Sequence, residues 1–170
     1  MGIQLVRADY ANARHSQALV ALLSAYALDP AGGGQPLSDY AKAHVVAGLA
    51  QRPQAFSVLA FDTDSSAGFD ADSAAVGLVN CFEGFSTFAA RPLVNVHDVV
   101  VLPSHRGQGV AQQMLLRVEQ MARERGACKL TLEVLGSNHR ALGLYQRLGF
   151  AAYQLDPAMG QAQFLQKWLP

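Results

Sequence analysis

The 170-residue chain carries thirteen basic and thirteen acidic side chains, 51% hydrophobic residues and only 15% charged ones. That is apolar material for one well-filled core and too little length for two, so a single domain over residues 1–170 is expected and wholesale disorder is excluded. The charge balance argues against nucleic acid or an anionic membrane as the main partner, and any basic site must be local.

Ile3–Arg7 reads as a short strand, Asp9 as a helix N-cap, and Ala18, Leu19, Leu22, Leu23 and Tyr26 recur at helical spacing. Pro30, Gly32, Gly33, Gly34 and Pro36 break that helix, and Ser38 or Asp39 can cap a second one reaching about Gln51. Phe56–Phe61 and Val76–Phe82 are strand-like runs joined by the Asp-, Ser- and Gly-rich segment Asp62–Ser73, which reads as a hairpin tip. A second connection, Ser86–Pro92, leads to the valine-dense Leu93–Leu102, expected as a central strand buried on both faces.

From Val110 the apolar residues Ala111, Met114, Leu115, Val118, Met121 and Ala122 keep a helical period that Gly126 closes. Lys129–Val134 is the next strand, and Ser137 or Asn138 caps a helix that ends at Gly149. Ala151–Leu155 and Gln163–Trp168 complete the pattern as two final strands, giving a mixed α/β class. Cys81 and Cys128 lack metal or redox spacing, so both are expected buried and reduced, with no metal site. No apolar run of membrane-spanning length and no targeting signal is recognisable, which predicts a cytoplasmic protein.

The residues most suggestive of chemistry are Val99, Val100 and Val101, then Leu102-Pro103-Ser104-His105, then Arg106, Gly107, Gln108, Gly109, Val110 and Ala111. This is a strand, a turn and a helix start, where unpaired first-turn N–H groups and the helix dipole favour an anion and glycines let it come close. A dinucleotide fingerprint would need glycine where Gln112 stands, and no phosphate loop of the G-x-x-x-x-G-K-S/T kind is present. A glycine-rich turn without ligand is the remaining alternative from this stretch alone.

Arg106-x-x-Gly109-x-Ala111 resembles the R/Q-x-x-G-x-G/A pyrophosphate loop of the GNAT acetyltransferases, and the stretch from Asn138 through Ala141, Leu144, Tyr145 and Gly149 to Phe150 resembles that family's second signature, N-x-x-A-x-x-L-Y-x-x-x-G-F. The firm resemblance covers about residues 76–150. It implies a mixed, mostly antiparallel sheet with a splayed parallel pair at its middle, helices on both faces, and acetyl-CoA as co-substrate in the notch. The pantetheine arm would pair with main-chain groups of Val99 and Val101, one N–H polarising the thioester carbonyl. Tyr145 would stand near the sulfur as proton donor or orienter, and Asn138 would contact the pantetheine arm while capping its helix.

An alkylammonium with a pKa near 10.4 must lose a proton before it attacks, so an acceptor is needed, and the candidates are His97, Asp98, Glu83 and Glu133 or a water chain that one of them orders. Phe85-Ser86-Thr87 before a strand bearing His97-Asp98 looks like the spermidine/spermine (diamine) branch of the family, which has Glu-Asp there. A neutral histidine accepts a proton but does not attract a polycation as a carboxylate does, which counts against polyamine specificity. The resemblance further implies an acceptor pocket near the first loop, where Tyr26, Asp29 and Tyr40 are the polar candidates, and a homodimer. With no cysteine in either signature, direct transfer to a small primary amine, such as a diamine, polyamine or amino acid, is expected. Acetylation of a protein or peptide amine and a non-catalytic acyl-CoA-binding module are the rival readings.

Overall fold

The computed structural model describes residues 2–63, 74–153, 156, 158, 160 and 162–169, and most of the expected hairpin tip Asp62–Ser73 lies outside them. The chain forms two compact units, residues 1–132 and 133–170. In the first, strands β1 (Ile3–Arg7), β2 (Ala55–Asp62), β3 (Ala75–Ser86), β4 (Arg91–Val101) and β5 (Leu130–Leu132) lie side by side in chain order. The first four are antiparallel neighbours, while β5 runs parallel to β4.

Helices α1 (Ala13–Leu28) and α2 (Asp39–Ala50) cover one face of this sheet. Leu19 and Leu22 of α1 and Leu49 of α2 join Leu59, Phe61, Leu78 and Val100 in one buried cluster. Helix α3 (Val110–Glu124) covers the other face through Val110, Met114, Leu115, Val118, Met121 and Ala122, the residues its sequence period singles out. Gly77 permits that approach, because a Cβ there would stand 2.8 Å from the Met114 methyl carbon. In the second unit, α4 (His139–Arg147) is capped by Asn138, whose side chain accepts from the Ala141 N–H, and is followed by Gly149 at φ 88°.

Several expectations change. The cap of α1 is Asn12, which accepts from the Arg14 and His15 N–H groups, whereas Asp9 accepts from Ala11 N–H one turn earlier. Strands β3 and β4 run further than their apolar runs suggest, because cross-strand pairing continues to Ser86↔Arg91 and leaves only a tight connection. β4 is not buried on both faces: Val94, Val96 and Val100 are buried, but His97 is exposed. Cys81 is buried as expected, while Cys128 is only partly so, and both are free thiols.

The expected strand Gln163–Trp168 is also corrected, and of Ala151–Leu155 only residues 151–153 are described. Residues 151–153 and 162–169 carry no strand, and the parallel β4–β5 pair therefore lies at an edge of the described sheet instead of its middle. A strand needs a ladder partner as well as propensity, and Phe164, Leu165, Trp168 and Leu169 are all at least 75% exposed.

Candidate active site

β4 and β5 pair only from Val94↔Leu130 to Val96↔Leu132, so beyond Val96 the outer edge of β4 has no strand partner among the described residues. Main-chain groups alternate in direction along a strand. The Leu102 N–H donates to Val76 O on the β3 side at 2.9 Å, which sends the groups of Val99 and Val101 to the open edge. Consistently, Val101 O accepts from Arg106 Nε at 2.9 Å. The Val100 side chain is core, and those of Val99 and Val101 are half-buried.

At the point where β5 departs, β4 carries a bulge. Asn80 pairs with Asp98 and Cys81 with Val96, which leaves His97 as the extra residue. In a regular strand, neighbours point to opposite faces, whereas a bulge re-aims them. His97 stands edge-on to Phe82, 5.4 Å between ring centroids, and Asp98 is hydrogen-bonded to Asn80. Phe82 and Asn80 are two apart on β3, so both His97 and Asp98 face the α1–α2 side of the sheet.

The connection after β4 forms a 3-10 turn at Pro103–His105 and then places Gly107 at φ 80° and Gly109 at φ 79°. Both are left-handed conformations natural to glycine. Gly109 is the N-cap of α3 and supplies no side-chain cap, so the first-turn N–H groups of Val110 and Ala111 stay open to an anion. The loop is braced from outside: Gln108 Nε2 donates to Ser104 O at 2.8 Å, and His105 lies 2.8 Å from Ser104 Oγ and 3.1 Å from Asp62 Oδ2. Arg106 is itself a brace, its Nη2 donating to Asp29 Oδ2 at 2.7 Å.

That contact redefines Asp29, which also accepts from the Ala31 N–H and starts the 3-10 turn Pro30–Gly32. The Ala31 N–H and then the Arg106 guanidinium hold its carboxyl below the usual range. Gly32 is demanded by contact, since a Cβ there would collide with Tyr26 O. The half-buried Tyr26 phenol is pushed up by burial first and then by the Asp98 and Asp29 carboxylates, and its side chain packs against the core cluster on the α1–α2 side of the sheet. Tyr40 is 74% exposed on α2 and stacks on His44 at 4.1 Å. Glu83 is turned to the α3 face, 3.3 Å from Arg125 Nε, and so is engaged away from His97 and Asp98.

A row of polar side chains escaped the sequence reading. Tyr10 Oη lies 2.9 Å from Ser57 Oγ, Ser57 Oγ 2.6 Å from Asn80 Oδ1, and Asn80 Nδ2 2.9 Å from Asp98 Oδ2. Ser57 pairs with Asn80, and Asn80 with Asp98, so the row crosses β2, β3 and β4 on one face. Its signal was present as single polar residues inside the apolar runs Phe56–Phe61 and Val76–Phe82.

In the second unit, Tyr145 is buried, with the Phe150 ring set edge-on at 5.8 Å. Glu133 begins that unit and is exposed. Among the described residues, no helix is long and apolar enough to cross a membrane.

Comparison with known proteins agrees with this fold. The profile of the Acetyltransferase (GNAT) family matches residues 34–150. Streptothricin acetyltransferase of Streptomyces lavendulae is 38% identical over 104 residues, 58% of this chain and 55% of that protein. Thialysine N-epsilon-acetyltransferase of Bos taurus is 35% identical over 85 residues, 50% of this chain and 48% of that protein. The chain thus matches about half the length of these curated relatives. Among solved structures, a probable acetyltransferase superposes with a TM-score of 0.73 at 21% identity, covering 98% of this chain and 97% of that one. AAC(6')-Iy in complex with the bisubstrate analog CoA-S-monomethyl-acetylneamine gives 0.71 at 20% identity, covering 99% and 100%. At these identities the structural likeness speaks for the fold.

Proposed function

We infer what this chain does from one premise: it belongs to the GNAT family of acetyltransferases. It transfers an acetyl group from acetyl-CoA to a primary amine of a small, cationic molecule, by direct attack with both substrates bound. The observation that carries this reading is the bulge, which turns His97 and Asp98 to one face beside the open edge of β4. The family profile runs across both compact units, which supports reading residues 1–170 as one domain.

The residues present fit the coenzyme. First-turn N–H groups of α3, with Gly107 and Gly109 keeping the approach clear, would hold its diphosphate, and the Val99 and Val101 main chain would pair with the pantetheine arm. When bound, acetyl-CoA supplies an acetyl group activated as a thioester. An N–H fixed on β4 meets oxyanion charge without reorganising, which is the electrostatic part of the catalysis.

The amine arrives as an ammonium and needs a proton acceptor within reach. Asp98 attracts the cation and His97 beside it accepts a proton directly or through water, while Tyr26 lines the same side. Tyr145, by its place in the second family signature, serves the departing thiol. Cys81 is buried and its thiol is pushed up to about 12, so it offers no thiolate for an acyl-enzyme, which supports direct transfer. The names of the relatives, streptothricin and thialysine acetyltransferases, support an amine-bearing small molecule over a protein.

The test is acetyl-CoA turnover followed by mass spectrometry over streptothricin, thialysine, spermidine and an aminoglycoside. At least one amine is expected to be acetylated, and Asp98→Asn and His97→Ala each to lower kcat/KM about 100-fold or more, the size of a lost general base. Absence of product with every amine, in protein that binds acetyl-CoA, would leave a coenzyme-binding module instead.

A further inference from the structure

The donor directions in the buried row are fixed by its chemistry. The Asp98 carboxylate can only accept, so the Asn80 amide nitrogen faces it and the amide oxygen faces Ser57. That oxygen takes the one hydroxyl hydrogen of Ser57, and Tyr10 must then donate to Ser57 Oγ. All three bonds point the same way, from Tyr10 to Asp98.

Ser57 is fully buried and Asn80 is 3% exposed, each inside an otherwise apolar strand. Polar groups at such depth are costly unless paired, and apolar residues would fill the same positions more simply. The row has one end in the proposed active site. Asp98 lies on the C-terminal side of the bulge, and among the described residues Asn80 is its hydrogen-bond partner, through one oxygen alone. No described residue is hydrogen-bonded to the other oxygen.

We propose that Tyr10, Ser57 and Asn80 form a positioning row that fixes the rotamer of Asp98, so that its second oxygen is aimed at the acceptor amine. This rests on the reading of Asp98 given above. A bulge frees the local backbone from its ladder, and a carboxylate carried there needs a side-chain anchor to hold near-attack geometry. Asn80 supplies it from the neighbouring strand, and Ser57 and Tyr10 keep the Asn80 amide from flipping.

Steady-state kinetics on the amine that wild type acetylates best tests this with Asn80→Ala, Asn80→Leu, Tyr10→Phe and Asp98→Asn. Asn80→Ala and Asn80→Leu are expected to lower kcat by about 10- to 100-fold, the cost of misplacing a catalytic group, with acetyl-CoA affinity unchanged by calorimetry. Tyr10→Phe, at the far end, should lose less. Asn80→Leu refills the space, so a merely structural role would be rescued by it and a positioning role would not. Combined with Asp98→Asn, Asn80→Leu should cost nothing more, because the group it positions is already gone.

Wild-type turnover in folded Asn80→Leu, or losses that multiply in the double variant, would overturn the row while leaving the acetyltransferase reading intact. A wild type that acetylates none of the amines would instead overturn that reading, and the row with it.

Discussion

Cys81 sits in β3 beside the polar row, 1% exposed, and burial pushes its thiol up to about 12 from an ordinary value near 8.5. Between those values the unfolded chain loses the proton and the folded one keeps it. The folded state then binds more protons, and stability falls as pH rises. The contribution is intact below about pH 8.5 and drains away above it. Urea titrations at pH 8 and pH 10 should show a lower midpoint at pH 10, and Cys81→Ala should flatten that part of the profile. Iodoacetamide at pH 8, read by peptide mass to separate Cys81 from the partly exposed Cys128, should modify Cys81 only in the unfolded protein; rapid labelling of Cys81 in the native state would contradict its burial. The identity of this buried thiol could be read from its apolar surroundings, but its value as a non-nucleophile depends on neighbours from other strands. Asp29 makes the same point in reverse: the family resemblance made it a candidate pocket acid, and only the fold reveals Arg106, 77 positions away, as its partner.

Element boundaries were readable where a periodic pattern met a strong signal. α3 has a continuous apolar stripe and a left-handed Gly126 behind it, and α4 has Asn138 before it and Gly149 after it. α1 was harder, because Asp9 and Asn12 are both competent caps, and the choice is made by where the chain leaves the sheet and where Leu19 and Leu22 must land. Asn12 satisfies two first-turn donors, so Asn12→Ala should cost about 1 kcal/mol, lowering Tm by about 2–4 °C in a chain of this size. Differential scanning calorimetry checks this, and Asp9→Ala should cost less. The bulge was not readable. Nothing in Val96-His97-Asp98 announces an extra residue, since register is set by two partner strands together; a polar pair inside a valine run was its only trace.

On the scale of the whole molecule, the proposed coenzyme seat is built from main chain more than from side chains. The loop from Arg106 to Ala111 and the edge of β4 offer N–H groups that no side-chain truncation removes, and Arg106, the obvious phosphate ligand by charge, is engaged with Val101 O and Asp29. Family motifs could be read because such backbone geometry demands particular residues, glycine at positive φ and a small Ala111 at the helix start. Acceptor specificity could not, because the side chains proposed to meet the amine come from α1 and β4, far apart in sequence. A backbone site is best tested by trimming the ligand. At a concentration 100 times its Kd, acetyl-CoA should stabilise the folded chain by about 2.7 kcal/mol, raising Tm by about 5–10 °C. S-acetylpantetheine keeps the arm that would follow Val99 and Val101 but lacks the diphosphate, so at the same concentration its shift should be small. Equal shifts would mean that the diphosphate adds nothing and that the α3 N-terminus is not its seat. A large shift that fades with added salt would fit a local anion site on a chain whose net charge is zero.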